Sequence, residues 1–133
     1  MLLVDTSVWI DFLAPRSTRA ADYFRAKLEA RESFALTEFV YLEVLQGVRD
    51  PAAARKVGTY LRAQTVLYPR HGLRTYEAAA DLYRRCRAVG ITVRSTIDCL
   101  IARIALEHNA TLLHRDRDYE RIAQIEPRLK LAP

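Results

Sequence analysis

MLLVDTSVWI, residues 1–10, sets the short apolar run Leu2–Val4 directly before a carboxylate, Asp5. A continuous apolar run of this length, bounded at once by polar residues, reads as a strand buried on both faces, as in a parallel sheet. From Ser7 the period changes. Val8, Trp9, Phe12 and Leu13 fall on one helical face, and Pro15 ends the helix. The same strand-then-helix unit recurs outward along the chain. Phe34–Leu36 reads as a second strand, and Thr37 caps a helix to about Val48. Thr65–Tyr68 reads as a third strand, Thr111–Leu113 as a fourth, and Leu129–Leu131 as a last edge strand. Helices are expected over 18–31, 52–63, 73–89, 95–108 and 117–125. In the helix over 73–89 the inward stripe is expected to be Tyr76, Ala79, Ala80, Tyr83 and Cys86, with Gly90 as its stop. Short apolar strands alternating with helices predict an α/β domain with a largely parallel sheet. In such sheets functional groups gather outside the carboxyl ends of the strands, and Asp5 stands at one.

The 133 residues fit one domain, 1–133, with no repeats and no linker. Half of the chain is apolar and 28% is charged, as expected of a soluble protein. No apolar run is long enough to span a membrane, no secretory leader is expected, and the cytoplasm is the expected location. Cys86 and Cys99 are expected to be reduced, small core residues. The net charge of +5 rests on arginine, whose planar fork matches phosphate oxygens and makes nucleic acid a candidate partner. Trp9, Phe12, Phe24 and Phe39 read as core, while Tyr41, Tyr76 and Tyr83 read either as core or as a surface for another protein.

Other acids can be placed at the same sheet edge. Asp116 and Asp118 follow the fourth strand in ATLLHRDRDY. Glu43 is the one charge in FVYLEVLQGV, about two turns into the helix that leaves the second strand. Asp98 lies in the first turn of the helix from Ser95, which runs into the fourth strand. Each has a structural reading: Asp5, Asp98, Asp116 and Asp118 as helix caps, Glu43 as a solvated charge. Together they are harder to dismiss, since two like charges 4 Å apart cost about 4 kcal/mol at an effective dielectric of 20. Such a cluster needs protonation or a cation. An all-oxygen donor set selects Mg²⁺ or Mn²⁺, whereas Zn²⁺ would want His or Cys companions. His114 is expected to pack or hydrogen-bond rather than ligate.

Asp5 in LLVDTSVWI, Glu43 in TEFVYLEVLQG, Asp98 in GITVRSTIDCLIARIA and Asp116 in LLHRDRDYERIA resemble the four acidic motifs of PIN-domain ribonucleases. The likeness is greatest to the toxins of bacterial VapB–VapC toxin–antitoxin pairs, and it runs over nearly the whole chain. It implies a three-layer α/β/α fold around a parallel sheet of four or five strands. It implies metal-dependent hydrolysis of RNA phosphodiesters, a homodimer, and an antitoxin whose C-terminal segment covers the acidic groove. Asp5, Glu43, Asp98 and Asp116 are then the expected catalytic residues, with Asp5, Asp98 and Asp116 holding Mg²⁺ and Glu43 orienting water. Thr6, Thr96 and Asp118 are the expected supporting residues.

An RNA backbone also needs cations. Arg84, Arg85, Arg87 and Arg94, with Arg115 and Arg117, are the candidate phosphate contacts, and Arg121 also flanks the last acidic motif. Three alternatives stay open: a PIN nuclease of RNA processing outside toxin–antitoxin pairs, a phosphotransfer domain with Asp5 as nucleophile, and a non-catalytic RNA- or protein-binding domain. The phosphotransfer reading lacks an Asp two residues after Asp5 and a well-placed lysine.

Overall fold

Leu3 and Val4 have no exposed surface, because strand β1 (Leu2–Val4) is the middle of the sheet. The computed structural model of the chain describes residues 1–133. On one side β1 pairs in parallel with β2 (Phe34–Leu36), and β2 pairs with β3 (Thr65–Val66). On the other side β1 pairs with β4 (Thr111–Leu113), and β4 pairs with β5 (Lys130–Ala132). The five-stranded order is β3-β2-β1-β4-β5, all parallel. Parallel neighbours need crossovers, and the helices supply them. α1 (Thr6–Leu13) packs on α2 (Arg19–Glu29) and on α3 (Glu38–Gly47), and α3 packs on α4 (Pro51–Arg62). α5 (Leu73–Ala88), α6 (Thr96–Glu107) and α7 (Arg117–Ile125) pack on one another and complete the three-layer α/β/α arrangement. The strand order reverses between β1 and β4. The crevice outside their carboxyl ends is therefore where Asp5 and Asp116 emerge.

Local chemistry sets the element ends. Thr37 caps α3 through Val40 N at 3.2 Å, and Asp50 caps α4 through Ala53 N at 2.9 Å with Pro51 in the first turn. Gly90, at φ 82°, closes α5 while Ile91 N reaches back to Cys86 O at 2.9 Å. Trp9 is fully buried and packs edge-on against Phe24, ring centroids 5.0 Å apart, with Phe12, Phe34 and Tyr60 around it. Both cysteines are free and buried, and burial pushes the Cys99 thiol up to about 12.

Four expectations change in detail, the first being the last strand, which is Lys130–Ala132 rather than Leu129–Leu131, with Leu129 N bonded back to Glu126 O at 3.0 Å. α1 begins at Thr6, because Asp5 itself caps it through Ser7 N. The third strand stops at Val66, although Leu67 N still bonds Leu36 O at 2.9 Å. The buried stripe of α5 is Thr75, Ala79, Leu82 and Cys86. Thr75 fixes this rotation: its hydroxyl donates to Glu107 Oε1 at 2.7 Å, joining the start of α5 to the end of α6. Tyr76 and Ala80 are exposed instead. With Tyr83, Phe39, Ile97 and Leu100 they border an open apolar groove of about 380 Å³.

Candidate metal and active site

Asp5, Glu43, Asp98, Asp116 and Asp118 line one pocket of about 380 Å³, together with Thr6, Ser7, Arg94 and Ser95. Asp5 is buried. Its Oδ2 accepts from Ser7 Oγ at 2.8 Å and Ser7 N at 3.3 Å. The Tyr119 hydroxyl, from inside the core, stands 3.0 Å from Asp5 Oδ1 and 3.4 Å from Asp98 Oδ1. Asp98 comes from the first turn of α6. Asp116 caps α7, its Oδ1 accepting from Asp118 N at 2.9 Å. Glu43 reaches the pocket from α3, half-buried. Asp98, Asp116 and Asp118 each offer an oxygen within 4.8 Å of the others.

The electrostatics are those of a crowded anionic site. Burial, then the charges of Asp5, Asp116 and Asp118, push the Asp98 carboxyl up to about 7. One phenolic proton is shared between Asp5 and Asp98, so neither carboxylate receives a full hydrogen bond from it. Glu43 is also raised, by burial and by the Asp5 charge. Asp118 behaves oppositely. Burial works to raise its pKa, but hydrogen bonds from the Arg94 backbone and side chain and the charges of Arg94 and Arg121 bring it below the usual value. Asp118 Oδ2 accepts from Arg94 N and Nε, both at 3.1 Å, and Oδ1 from Arg121 at 3.2 Å. Arg94 also reaches Asp116 Oδ1 at 3.0 Å.

The donor set fits a hard divalent cation. Every candidate ligand is a carboxylate oxygen, and burial, with mutual repulsion added to it, raises the pKa of two of them. Thr6 supplies a second sign. It is nine-tenths buried at the pocket wall, and its Oγ1 makes no hydrogen bond of good geometry, though it stands near enough to Glu43 to favour the charged form slightly. His114 is no ligand in this arrangement: its Nδ1 accepts from Asp116 N at 3.1 Å, its ring lies 5.2 Å from Tyr119, and burial lowers its pKa.

Of the remaining expected residues, Thr96 opens onto the apolar groove, and Ser95 is its neighbour that lines the acidic pocket. The six candidate arginines do not form one rim. Arg84 and Arg87 border the apolar groove, Arg84 near Asp81 and Arg87 over the Tyr83 ring. Arg85 turns to Glu126 and Ile125 O, while Arg115 and Arg117 line a polar cavity beside Asp116. Ser7 and Tyr119 were outside the sequence expectation. The serine has a local signal, a hydroxyl two residues after an aspartate at a helix start. Tyr119 has none, since Asp5 is 114 positions away.

The PIN domain matches residues 2–125. Ribonuclease VapC11 of Mycobacterium tuberculosis is 36% identical over 126 residues, covering 94% of this chain and 93% of its own. Ribonuclease VapC17 of the same organism is 37% identical over 102 residues, 70% of each chain. Among solved structures, VapBC-1 of nontypeable Haemophilus influenzae superposes with a TM-score of 0.73 at 20% identity, covering 98% of this chain and 96% of that one. VapBC2 of Rickettsia felis, bound to a promoter DNA fragment, gives 0.72 at 19% identity over 98% and 96%. Those two likenesses speak to the fold, and the sequence matches speak to descent: the chain belongs to the PIN-domain family and, within it, to the VapC branch.

Proposed function

We propose that this protein is the toxin ribonuclease of a VapB–VapC pair, hydrolysing RNA phosphodiesters with Mg²⁺ or Mn²⁺. The observation that carries this reading is the convergence of Asp5, Glu43, Asp98 and Asp116, from four separate segments, in one pocket at the reversal point of the sheet.

Asp5, Asp98 and Asp116 would hold the ion, and Asp118, committed to two arginines, would support Asp116 from behind. A divalent ion there offsets charge on the phosphoryl oxygens and acidifies water for in-line attack. Ser7 and Tyr119 fix both oxygens of Asp5. No lysine lines the pocket beside Asp5, which weighs against the phosphotransfer alternative. Glu43, half-buried with a raised pKa, suits a group that orients water and accepts its proton. Thr96 is placed to act from the groove side, and Thr6 from the pocket wall.

The partners we propose are single-stranded RNA, a cognate antitoxin and a second copy of the chain, in the cytoplasm. No helix is long and apolar enough to cross a membrane. The apolar groove adjoins the acidic pocket at α6, a position that suits an antitoxin segment reaching from one to the other. Sequencing RNA 5′ ends after induction of wild-type and Asp5→Asn protein tests the activity. New, position-specific ends are expected with the wild type alone. Identical end profiles would remove the reading.

A further inference from the structure

Asp11 is a buried carboxylate that no part of the proposed chemistry uses. It lies in α1, two turns from Asp5, with 1% of its side chain exposed. Burying a carboxylate is costly unless it is fully partnered, so the identity of its partners is informative. Arg115 Nε lies 2.8 Å from Asp11 Oδ2 in an ion pair, and Arg115 Nη2 donates to Oδ1 at 3.5 Å. Thr18 Oγ1 donates to Oδ2 at 3.3 Å, and Arg16 stands 3.9 Å from Oδ1. Arg115 is held at its other end too: its backbone N donates to Ser7 Oγ at 3.2 Å, the same hydroxyl that donates to Asp5.

A guanidinium has two donor edges. Asp11 occupies the Nε–Nη2 edge of Arg115 and leaves the Nη1 edge without a protein partner, on a side chain that is 52% exposed. Arg115, with Arg19 and Arg117, lines a polar cavity of about 230 Å³ that shares Asp116 with the acidic pocket. Asp116 and Glu120 also line this cavity, so bulk positive charge does not define it. An anion there must be held by donors already aimed at it.

We propose that Asp11 is a positioning residue, which holds the Arg115 guanidinium as a preset anchor for the RNA phosphate next to the one being cleaved. The proposal rests on the ribonuclease reading and adds to it a phosphate subsite and the residue that orders it. The benefit is entropic: a long side chain fixed before binding loses less freedom on meeting its phosphate.

Charge alone predicts the opposite of positioning, which makes the test sharp. Removing a negative charge beside an RNA-binding surface should strengthen binding, whereas losing the anchor should weaken it. The probe is a fluorescein-labelled single-stranded RNA decamer of mixed sequence, titrated by anisotropy in EDTA so that cleavage is silent. Asp11→Asn is expected to bind about five- to tenfold more weakly than wild type. Arg115→Lys, which keeps the charge and loses the two-edged fork, is expected to weaken binding by a similar factor and serves if Asp11→Asn does not fold. The double variant is expected to be no weaker than the worse single one, because both remove one anchor. Wild-type affinity or tighter in Asp11→Asn, or wild-type affinity in Arg115→Lys, overturns the positioning role and leaves the nuclease reading standing. A wild-type protein without measurable affinity for the decamer overturns the anchor, and the nuclease reading then stands or falls by the RNA 5′-end experiment alone.

Discussion

Folding places a proton on Asp98. Its carboxyl rises from the usual 3.8 to about 7, first through burial and then through the charges of Asp5, Asp116 and Asp118. The native state therefore binds more protons than the unfolded chain between about pH 4 and pH 7, and without divalent ions stability falls as pH rises through that window. Asp98→Asn removes the penalty. After allowance for solvent screening it is expected to stabilise the metal-free protein by about 1–3 kcal/mol at pH 8, and by nearly nothing at pH 4. Urea denaturation at the two pH values measures the difference, and an equal effect at both would contradict the assignment. Arg94 makes a second residue-scale case. Its guanidinium occupies Asp116 Oδ1 and Asp118 Oδ2, where it neutralises the acids as an ion would. Arg94→Gln is expected to bind Mn²⁺ several-fold more tightly by isothermal titration calorimetry, because Asp116 no longer has a competing cation. Weaker binding would mean that Arg94 builds the site rather than competing for it.

Secondary structure was legible wherever a local rule decides it. Thr37 and Gly90 mark element ends by side-chain capping or by a backbone conformation that costs other residues energy. Gly90→Ala is accordingly expected to lower stability by about 1–2 kcal/mol with an unchanged denaturant slope, a loss at the α5 terminus alone. Asp5, Asp98 and Asp116 were legible for a related reason: a strand end or a helix's first turn locates a side chain at the sheet edge before any packing is known, whereas Glu43, two turns into α3, stood out as the one charge in an apolar run. The inward face of α5 was not. Its sequence carries two adjacent apolar stripes, and the Thr75–Glu107 hydrogen bond across 32 positions decides which one turns inward. Tyr119, and the pairing of Arg94 with Asp118, escaped for the same reason, since these contacts are fixed by tertiary structure at separations of 114 and 24 positions. Local periodicity contains no term for such contacts.

At the scale of the whole molecule, the candidate site exists only when β1, α3, α6 and the β4–α7 loop are assembled together. The unfolded chain scatters the same acids over more than a hundred positions and has no comparable affinity for a single ion. A cation that binds only the assembled state stabilises it by RT ln(1 + [L]/Kd), about 2.7 kcal/mol at a hundredfold excess over Kd. For a domain of this size that corresponds to a rise in Tm on the order of 10 °C. Scanning calorimetry with Mn²⁺, at ionic strength matched with KCl, should show this rise in the wild type. The rise should disappear in the triple variant Asp5→Asn, Asp98→Asn, Asp116→Asn, whose metal-free Tm should itself exceed the wild type's at pH 8, because the repulsion has been removed. Both results are needed. An equal Mn²⁺ shift in wild type and triple variant would place the cation elsewhere on the surface. A triple variant with no gain in metal-free Tm would mean that the crowded carboxylates impose no strain for an ion to relieve.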